Sequence, residues 1–317
     1  MQVSPTNLIP AIHHCFSMLA LLQRLLTFAL IAAAGSWWFY FRDSSPVLAI
    51  AGCLLIVFGY AGLLALEFVI LWFVNQSDPA PKPNWSELFR AWLGETLIAP
   101  RVFCWRQPFR AHAIADNVSP MGLRHGLRGV VFVHGFFCNR GLWNPWLEHL
   151  QAQGHAFVAV SLEPVFGSID EYVPQIDRAI QQVTRVTGLA PLLVCHSMGG
   201  LAARAWLQTM KSEARVHHVV TIGTPHRGTW LARFGHGKNG RQMRLLSDWQ
   251  SQLDHQMPEG RHALFTCWYS NCDNIVFPTS TACLPGADNR LVRGAAHVQM
   301  AFLPAIMDAT LATLRKP

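Results

Sequence analysis

The sequence predicts an α/β domain built on a mostly parallel sheet and preceded by two transmembrane helices. Three observations carry this. From about residue 100 onward, short apolar runs alternate with helical patterns, and the apolar runs are hydrophobic at nearly every residue, as strands covered on both faces are. Two long stretches near the N-terminus hold almost no charge. At "PLLVCHSMGGL" (191–201) a strand pattern ends on a serine, and small residues then open a helix.

The chain has 317 residues, of which 51% are hydrophobic and 14% charged, against about 25% charged in soluble domains. The deficit lies at the N-terminus. Residues 25–41 carry no charge, and residues 47–74 carry only Glu67. A spanning helix needs about 20 apolar residues. Spans are therefore expected at about 19–41 and 47–74, joined by the polar turn "RDSSP", whose Pro46 resists continuation of the first helix. Trp37, Trp38 and Tyr40 fall where an aromatic belt belongs. A cleaved signal peptide fits poorly, because no small-residue cleavage site precedes a polar mature start. Arg24 and Glu67 each lie about 30 Å from the turn at 1.5 Å per residue. They can pair there, or each can reach the headgroups separately. Small residues at Ala32, Ser36, Ala61 and Ala65 allow close helix approach.

The turn holds Arg42, whereas the stretch after the second span holds Lys82, Arg90, Arg101, Arg106 and Arg110. The positive-inside rule then puts the turn outside and both termini in the cytoplasm. The net charge of +7 suits an anionic membrane surface. Nucleic acid is not indicated, since there is no Lys/Arg run, RNP-like pattern or metal-finger spacing. The eight cysteines are scattered, with Cys15 and Cys53 in or beside the hairpin. Cys267, Cys272 and Cys283 are near enough in sequence for one disulfide; otherwise buried cysteines act as small apolar residues.

These features divide the chain into a membrane anchor (1–76), a linker with an amphipathic helix (77–99) and an α/β domain (100–317). "SDPAPKP" is a stiff linker. In the stretch after it, Trp85, Leu88, Phe89, Trp92 and Leu93 recur at helical spacing, for a helix that lies on the bilayer or packs on the next domain. Beyond residue 100, strands are expected at 128–135, 155–162, 191–195, 216–223 and 262–270. Helices are expected at 169–188, interrupted early by Pro174 and ended by Gly188, and at 199–210.

A strand that delivers a serine on a sharp turn into a helix needs small neighbours, because bulky ones two residues away collide with the turn. Here the pattern reads Cys195-His196-Ser197-Met198-Gly199, with cysteine where glycine is usual. Two roles fit Ser197: an exposed nucleophile, or an ordinary helix N-cap.

Residues 128–300 resemble an α/β-hydrolase of the bacterial triacylglycerol lipase and esterase group, through "VFVHGFFCN", "HSMGGL", "VVTIGTPHRGT", "DNIVFP" and "RGAAHV". The resemblance implies the order nucleophile, acid, base along the chain. It assigns Ser197 as nucleophile, Asp273 in the loop after a strand as acid, and His297 as base. Asp288 is the alternative acid, though a loop aspartate is more often a turn former. His226 precedes the acid and is expected to be structural. The oxyanion hole would be the backbone N–H groups of Phe136 and Met198. His134 and Gly135 would shape that loop, and His196 and Gly199 the elbow. "FFCNRGLW" would form an acyl-side wall.

Relatives of this type often bear an aspartate two residues after the catalytic histidine to hold a structural calcium ion. The residue here is Gln299, a weak calcium ligand, so no metal and no cofactor is expected. Residues of about 229–260 mix apolar and basic types and read as a short lid, with Trp230, Leu231, Phe234, Leu245, Leu246 and Trp249 facing acyl chains or the sheet. The expected activity is hydrolysis of carboxylic esters of lipids or other apolar ester substrates at the bilayer, in a bacterial inner membrane with the catalytic domain cytoplasmic. An acyltransferase or thioesterase using the same three residues, or a hydrolase-fold membrane protein without catalysis, are the other classes.

Overall fold

A computed structural model of the chain describes residues 17–120, 122–256 and 260–315; Cys15 lies outside them. Two helices open it, α1 (Met18–Phe41) and α2 (Pro46–Val74). Pro46 stands in the first turn of α2, where its missing N–H costs nothing, and the Ser45 hydroxyl caps that end by accepting from the Leu48 N–H. Both helices are long and apolar enough to cross a membrane. They pack along each other, with the Trp37 indole N–H donating to the Leu48 carbonyl at 2.9 Å.

Arg24 and Glu67 do not pair. The Arg24 guanidinium donates to the Pro108 carbonyl at 2.5 Å and sits over the Phe109 ring. The Glu67 carboxylate instead accepts from the Asn274 side chain at 2.6 Å. Each charge leaves the hairpin for the domain beside it.

Helix α3 (Trp85–Pro100) begins at a capping box in which Asn84 and Glu87 satisfy each other's backbone N–H groups. Its polarity is turned inside out. Leu88 and Ala91 are buried, but so are Glu87 and Glu95, while Trp85, Phe89, Leu93 and Leu97 face outward. The Trp92 indole donates to the Ala61 carbonyl and docks α3 on α2. A π-helical turn (Arg101–Arg106) and α4 (Gln107–Arg110) lead into the α/β domain.

That domain holds six parallel strands, β1 (Val130–Val133), β2 (Phe157–Ala159), β3 (Leu192–His196), β4 (His218–Ile222), β5 (Phe265–Ser270) and β6 (Asp288–Val292), in the order β2-β1-β3-β4-β5-β6. Asp288 therefore begins a strand rather than forming a turn. Alternate strand residues enter different cores. Val131, Val133, Leu193, Cys195 and Val219 pack on one side with α6 (Val173–Thr187) and α7 (Met198–Met210). Phe132, Leu192, Val194, Val220 and Ile222 pack on the other with α5 (Asn144–Gln153) and with α11 (Pro304–Thr313), which follows the short α10 (His297–Met300). This is why the strands read as unbroken apolar runs. Pro174 does not interrupt its helix but stands in the first turn of α6, after a 3-10 turn over Ile169–Tyr172.

A third apolar cluster joins the N-terminal helices to the domain: Phe68 and Leu71 of α2, Leu88 and Ala91 of α3, and Cys272, Phe277 and Ala296 from the loops after β5 and β6. Between β4 and β5 run a 3-10 turn (Trp230–Phe234), α8 (Lys238–Gln242) and α9 (Asp248–His255). Leu253 is buried, Asp254 is ion-paired with Arg204 of α7, and Trp249 donates to Asp170, while Phe234 and Leu246 stay exposed. The seven described cysteines are all free thiols, Cys267, Cys272 and Cys283 included.

Phe132 is fully buried, with its ring centroid 4.9 Å from that of Trp143 and 5.8 Å from that of Trp146. Phe132→Ala should destabilise the domain by about 3–5 kcal/mol, seen as a lower unfolding midpoint of the detergent-solubilised protein by circular dichroism.

Candidate active site

Strand β3 ends at His196, α7 starts at Met198, and Ser197 alone makes the turn between them. Its backbone sits at φ 54°, ψ −130°, a conformation that costs a non-glycine residue about 1–3 kcal/mol. Neighbours on both sides hold it there. The Ser197 N–H donates to the Ile222 carbonyl at 2.9 Å, and its carbonyl accepts from the Thr224 hydroxyl at 2.8 Å. The side chain makes no capping bond, so the N-cap reading fails. The glycines of the pattern have steric work. A Cβ on Gly199 would lie 2.4 Å from the Val133 carbonyl oxygen, and one on Gly135 would lie 2.6 Å from the Ser197 Cβ. Only glycine lets the turn after β1 come this close to the serine.

Asp273 and His297 come from the loops that follow β5 and β6. Both are buried, and His297 Nδ1 lies 2.9 and 3.0 Å from the two Asp273 carboxylate oxygens. A carboxylate only accepts, so Nδ1 carries the proton and Nε2 is left as the basic nitrogen. Asp273 Oδ1 also accepts from the Ile275 and Val276 N–H groups at 3.0 and 2.8 Å, which fixes the carboxylate. Asp288 is exposed and paired with Arg290, away from His297. No hydrogen bond joins the Ser197 hydroxyl to His297 among the described residues; in unliganded enzymes such bonds often tighten only when substrate is bound.

Three further buried histidines are held neutral. His134 is pushed down to about 4 by burial; its Nε2 accepts from the Leu162 N–H at 2.9 Å, so Nδ1 carries the proton toward the Gly135 carbonyl. His196 is held well below the usual range by burial and by His297, and its Nε2 donates to the His297 carbonyl at 3.2 Å. His226 is likewise lowered by burial and by Arg204, and lies against the Thr221 hydroxyl and the Cys267 thiol, consistent with a structural part. His297 moves the other way. Burial alone would lower it, but the Asp273 carboxylate, with Glu95 and Glu67 farther off, more than offsets this and raises it above the ordinary value.

The backbone N–H groups of Phe136 and Met198 flank the elbow, and neither makes a hydrogen bond among the described residues. Phe137 sits at φ 55°, which sharpens the turn after β1. The expected acyl-side wall is smaller than its sequence. Phe136 is exposed, with its ring centroid 5.7 Å from that of the exposed Phe166, and Phe137 is half-buried. From Cys138 to Trp143 the segment folds into the domain, where Arg140 pairs with Asp116 and donates to the Ala111 and Ile114 carbonyls. Among the described residues no group of three His, Cys, Asp or Glu gathers as ligands for a metal ion.

The Asp273 and His297 loops are stitched together by side chains that belong to no motif. Ser270 Oγ donates to the Ala295 carbonyl at 2.6 Å, Asn271 Oδ1 accepts from the Gly294 N–H at 2.9 Å, and Asn274 Oδ1 accepts from the His297 N–H at 3.1 Å. Carboxylates from the N-terminal helices back this seam. Glu87 holds Asn271 and Arg293, Glu67 holds Asn274, and Glu95 accepts from the Val298 and Gln299 N–H groups. A signal was present: Glu87, Ala91 and Glu95 recur every fourth residue, on one face of an otherwise apolar helix.

The same fold is found in the lipase BlEst2 of Bacillus licheniformis. In its mature form it aligns at 16% identity with a TM-score of 0.54, covering 61% of this chain and 94% of that chain. In the propeptide form the values are 17% and 0.51, covering 60% and 51%. No curated protein sequence matches the chain. The profile of the alpha/beta hydrolase family matches residues 130–312, from the first strand into the last helix, and the chain belongs to that family.

Proposed function

We propose that the chain is a membrane-anchored serine hydrolase that cleaves carboxylic esters of lipids through an acyl-enzyme. The observation that carries this reading is the strained, uncapped Ser197 at the β3–α7 elbow together with the buried Asp273–His297 pair. In this reading Ser197 Oγ attacks the ester carbonyl and forms a C–O bond, while His297 Nε2 takes its proton. Asp273 holds the imidazole in that tautomer and stabilises the imidazolium. The N–H groups of Phe136 and Met198 receive the oxyanion. Collapse of the tetrahedral intermediate breaks the bond to the alcohol, which leaves with the proton from His297. Water then repeats the sequence and frees the acid.

The lipid part of the proposal draws on the N-terminal helices. The apolar surfaces of α1 and α2, and the outward Trp85, Phe89, Leu93 and Leu97 of α3, would face acyl chains and the interface, where such residues are at home. Lys82, Arg90, Arg101, Arg106 and Arg110 follow α2, so the domain is assigned to the cytoplasmic side. The names of the BlEst2 structures, which call that protein a lipase, agree with an apolar ester as substrate. The segment after β4 is proposed as a short lid, with the exposed Phe234 and Leu246 as its lipid-facing part.

A fluorophosphonate probe should label Ser197 in the full-length protein in detergent, and Ser197→Ala should lose both labelling and hydrolysis of a short-chain nitrophenyl ester. A wild-type protein that stays unlabelled defeats the proposal. Asp273→Asn should lower kcat by about 10⁴-fold, because the tautomer is no longer fixed. The pH dependence has a definite sign. The base must be neutral, and Asp273 raises His297 above its ordinary 6.5. The acid limb of kcat/KM should therefore lie above pH 6.5, and in Asp273→Asn, measured on the residual rate, it should move to lower pH.

A further inference from the structure

We propose that Glu67 on α2 and Glu95 on α3 are positioning residues for His297, so that the N-terminal helices complete the catalytic site as well as anchoring it. The proposal rests on the reading of His297 as the general base.

Three successive backbone N–H groups, those of residues 297, 298 and 299, end on these two carboxylates. The His297 N–H donates to Asn274 Oδ1 at 3.1 Å, and the amide of that same Asn274 donates to Glu67 Oε2 at 2.6 Å. The Val298 and Gln299 N–H groups donate to the two oxygens of Glu95, both at 3.0 Å. The Ala296 N–H turns the other way, to the Gln299 side chain at 3.1 Å. The peptide that carries the base is thus gripped on both sides of His297. Asn274 is fully buried and Glu95 is 2% exposed, so water cannot replace either.

The chemistry of Glu95 argues against simple packing. Its neighbours on the same helix face include Leu88 and Ala91, which bury cheaply. A carboxylate in that place is disfavoured by burial, and Glu95 is pushed up to about 7 despite the two N–H donors and the attraction of His297. An apolar residue would fill the space at lower cost, but it would leave two buried N–H groups without acceptors. The side chain that does stand there has two acceptor oxygens, both aimed at the peptide units that follow the base. The groups facing His297 come from four elements: Asp273 after β5, His196 on β3, Glu67 on α2 and Glu95 on α3. Of these, the two on the N-terminal helices reach backbone N–H groups of the His297 segment, Glu67 through Asn274 and Glu95 directly, while His196 donates to the His297 carbonyl.

A misplacement of a catalytic group by about 1 Å can cost about 10²-fold in rate. In the full-length protein in detergent, Glu95→Ala should therefore lower kcat for a short, soluble ester by about 10²-fold at unchanged KM, and should slow fluorophosphonate labelling of Ser197 in parallel. Glu95→Gln keeps one acceptor for the two donors and should recover part of the rate. Glu67→Ala should act in the same direction through Asn274. The folded fraction is measured in each sample by the unfolding midpoint; if Glu95→Ala does not fold, the near-isosteric Glu95→Gln is read against wild type by the same criteria. A folded Glu95 variant with wild-type kcat, or with its loss in KM alone, overturns the positioning role while a labelled wild-type Ser197 leaves the catalytic reading standing. An unlabelled wild type overturns both.

Discussion

The backbone of Ser197 is the constraint on which the site depends. At φ 54° the residue is off the regions that serine prefers, and it stays there because both its N–H and its carbonyl are bonded to the end of β4 and the loop after it. The strain is small beside the burial of β3 and α7, whose side chains lie almost wholly inside the fold. What it achieves is directional. Turned this way, the serine leaves its side chain uncapped and close to Gly135, and the turn after β1 can approach only because that residue lacks a Cβ. The unbonded N–H groups of Phe136 and Met198 beside it follow from the same turn.

Electrostatics then sort the histidines. His134, His196 and His226 are buried without a carboxylate partner, and burial keeps each neutral. His297 is equally buried, but Asp273 lies against its Nδ1, and the imidazolium is favoured. The charged form is therefore favoured at His297 and disfavoured at the other three imidazoles. A neutral His196, its ring centroid 4.6 Å from that of His297 and tilted 49° to it, adds polar contact without adding a competing positive charge.

Much of this was legible in the sequence, for identifiable reasons. The parallel sheet could be read because both faces are covered, so the strands are apolar throughout. The two helices long and apolar enough to cross a membrane could be read because length and lack of charge act over whole segments. A serine on the strand-to-helix turn and an Asp273–His297 contact could be expected because the resemblance rests on local patterns around each. Strand ends were harder: the strand expected over 128–135 pairs only from Val130 to Val133, and His134 and Gly135 already belong to the turn after it. Residues 138–143, expected in the acyl-side wall, fold into the domain because Asn139 and Arg140 find buried carbonyl partners there that a sequence does not display. Glu67 was read as pairing with Arg24 or snorkelling, since a sequence offers no view of Asn274, 207 positions away.

Helix α3 shows what the two kinds of burial demand of one element. Toward the domain it presents carboxylates, because the loops it meets offer backbone N–H groups and an arginine, and those must find acceptors. Outward it presents Trp85, Phe89, Leu93 and Leu97. A surface helix facing water has the opposite arrangement. The inversion makes sense when the outer surroundings are as apolar as a protein core. The aromatic face then needs no cover, and the polar face has its partners within the protein. The same contacts make α2 and α3 hard to separate from the α/β domain. Removing α2 would uncover Cys272, Phe277 and Ala296, which lie beside Asp273 and His297, and would take away the acceptor for Asn274. A tether can be cut without consequence for the chemistry. An element that supplies part of the packing and hydrogen bonding around the Asp273 and His297 loops cannot, so α2 and α3 belong to the candidate site as much as to the apolar surface outside it.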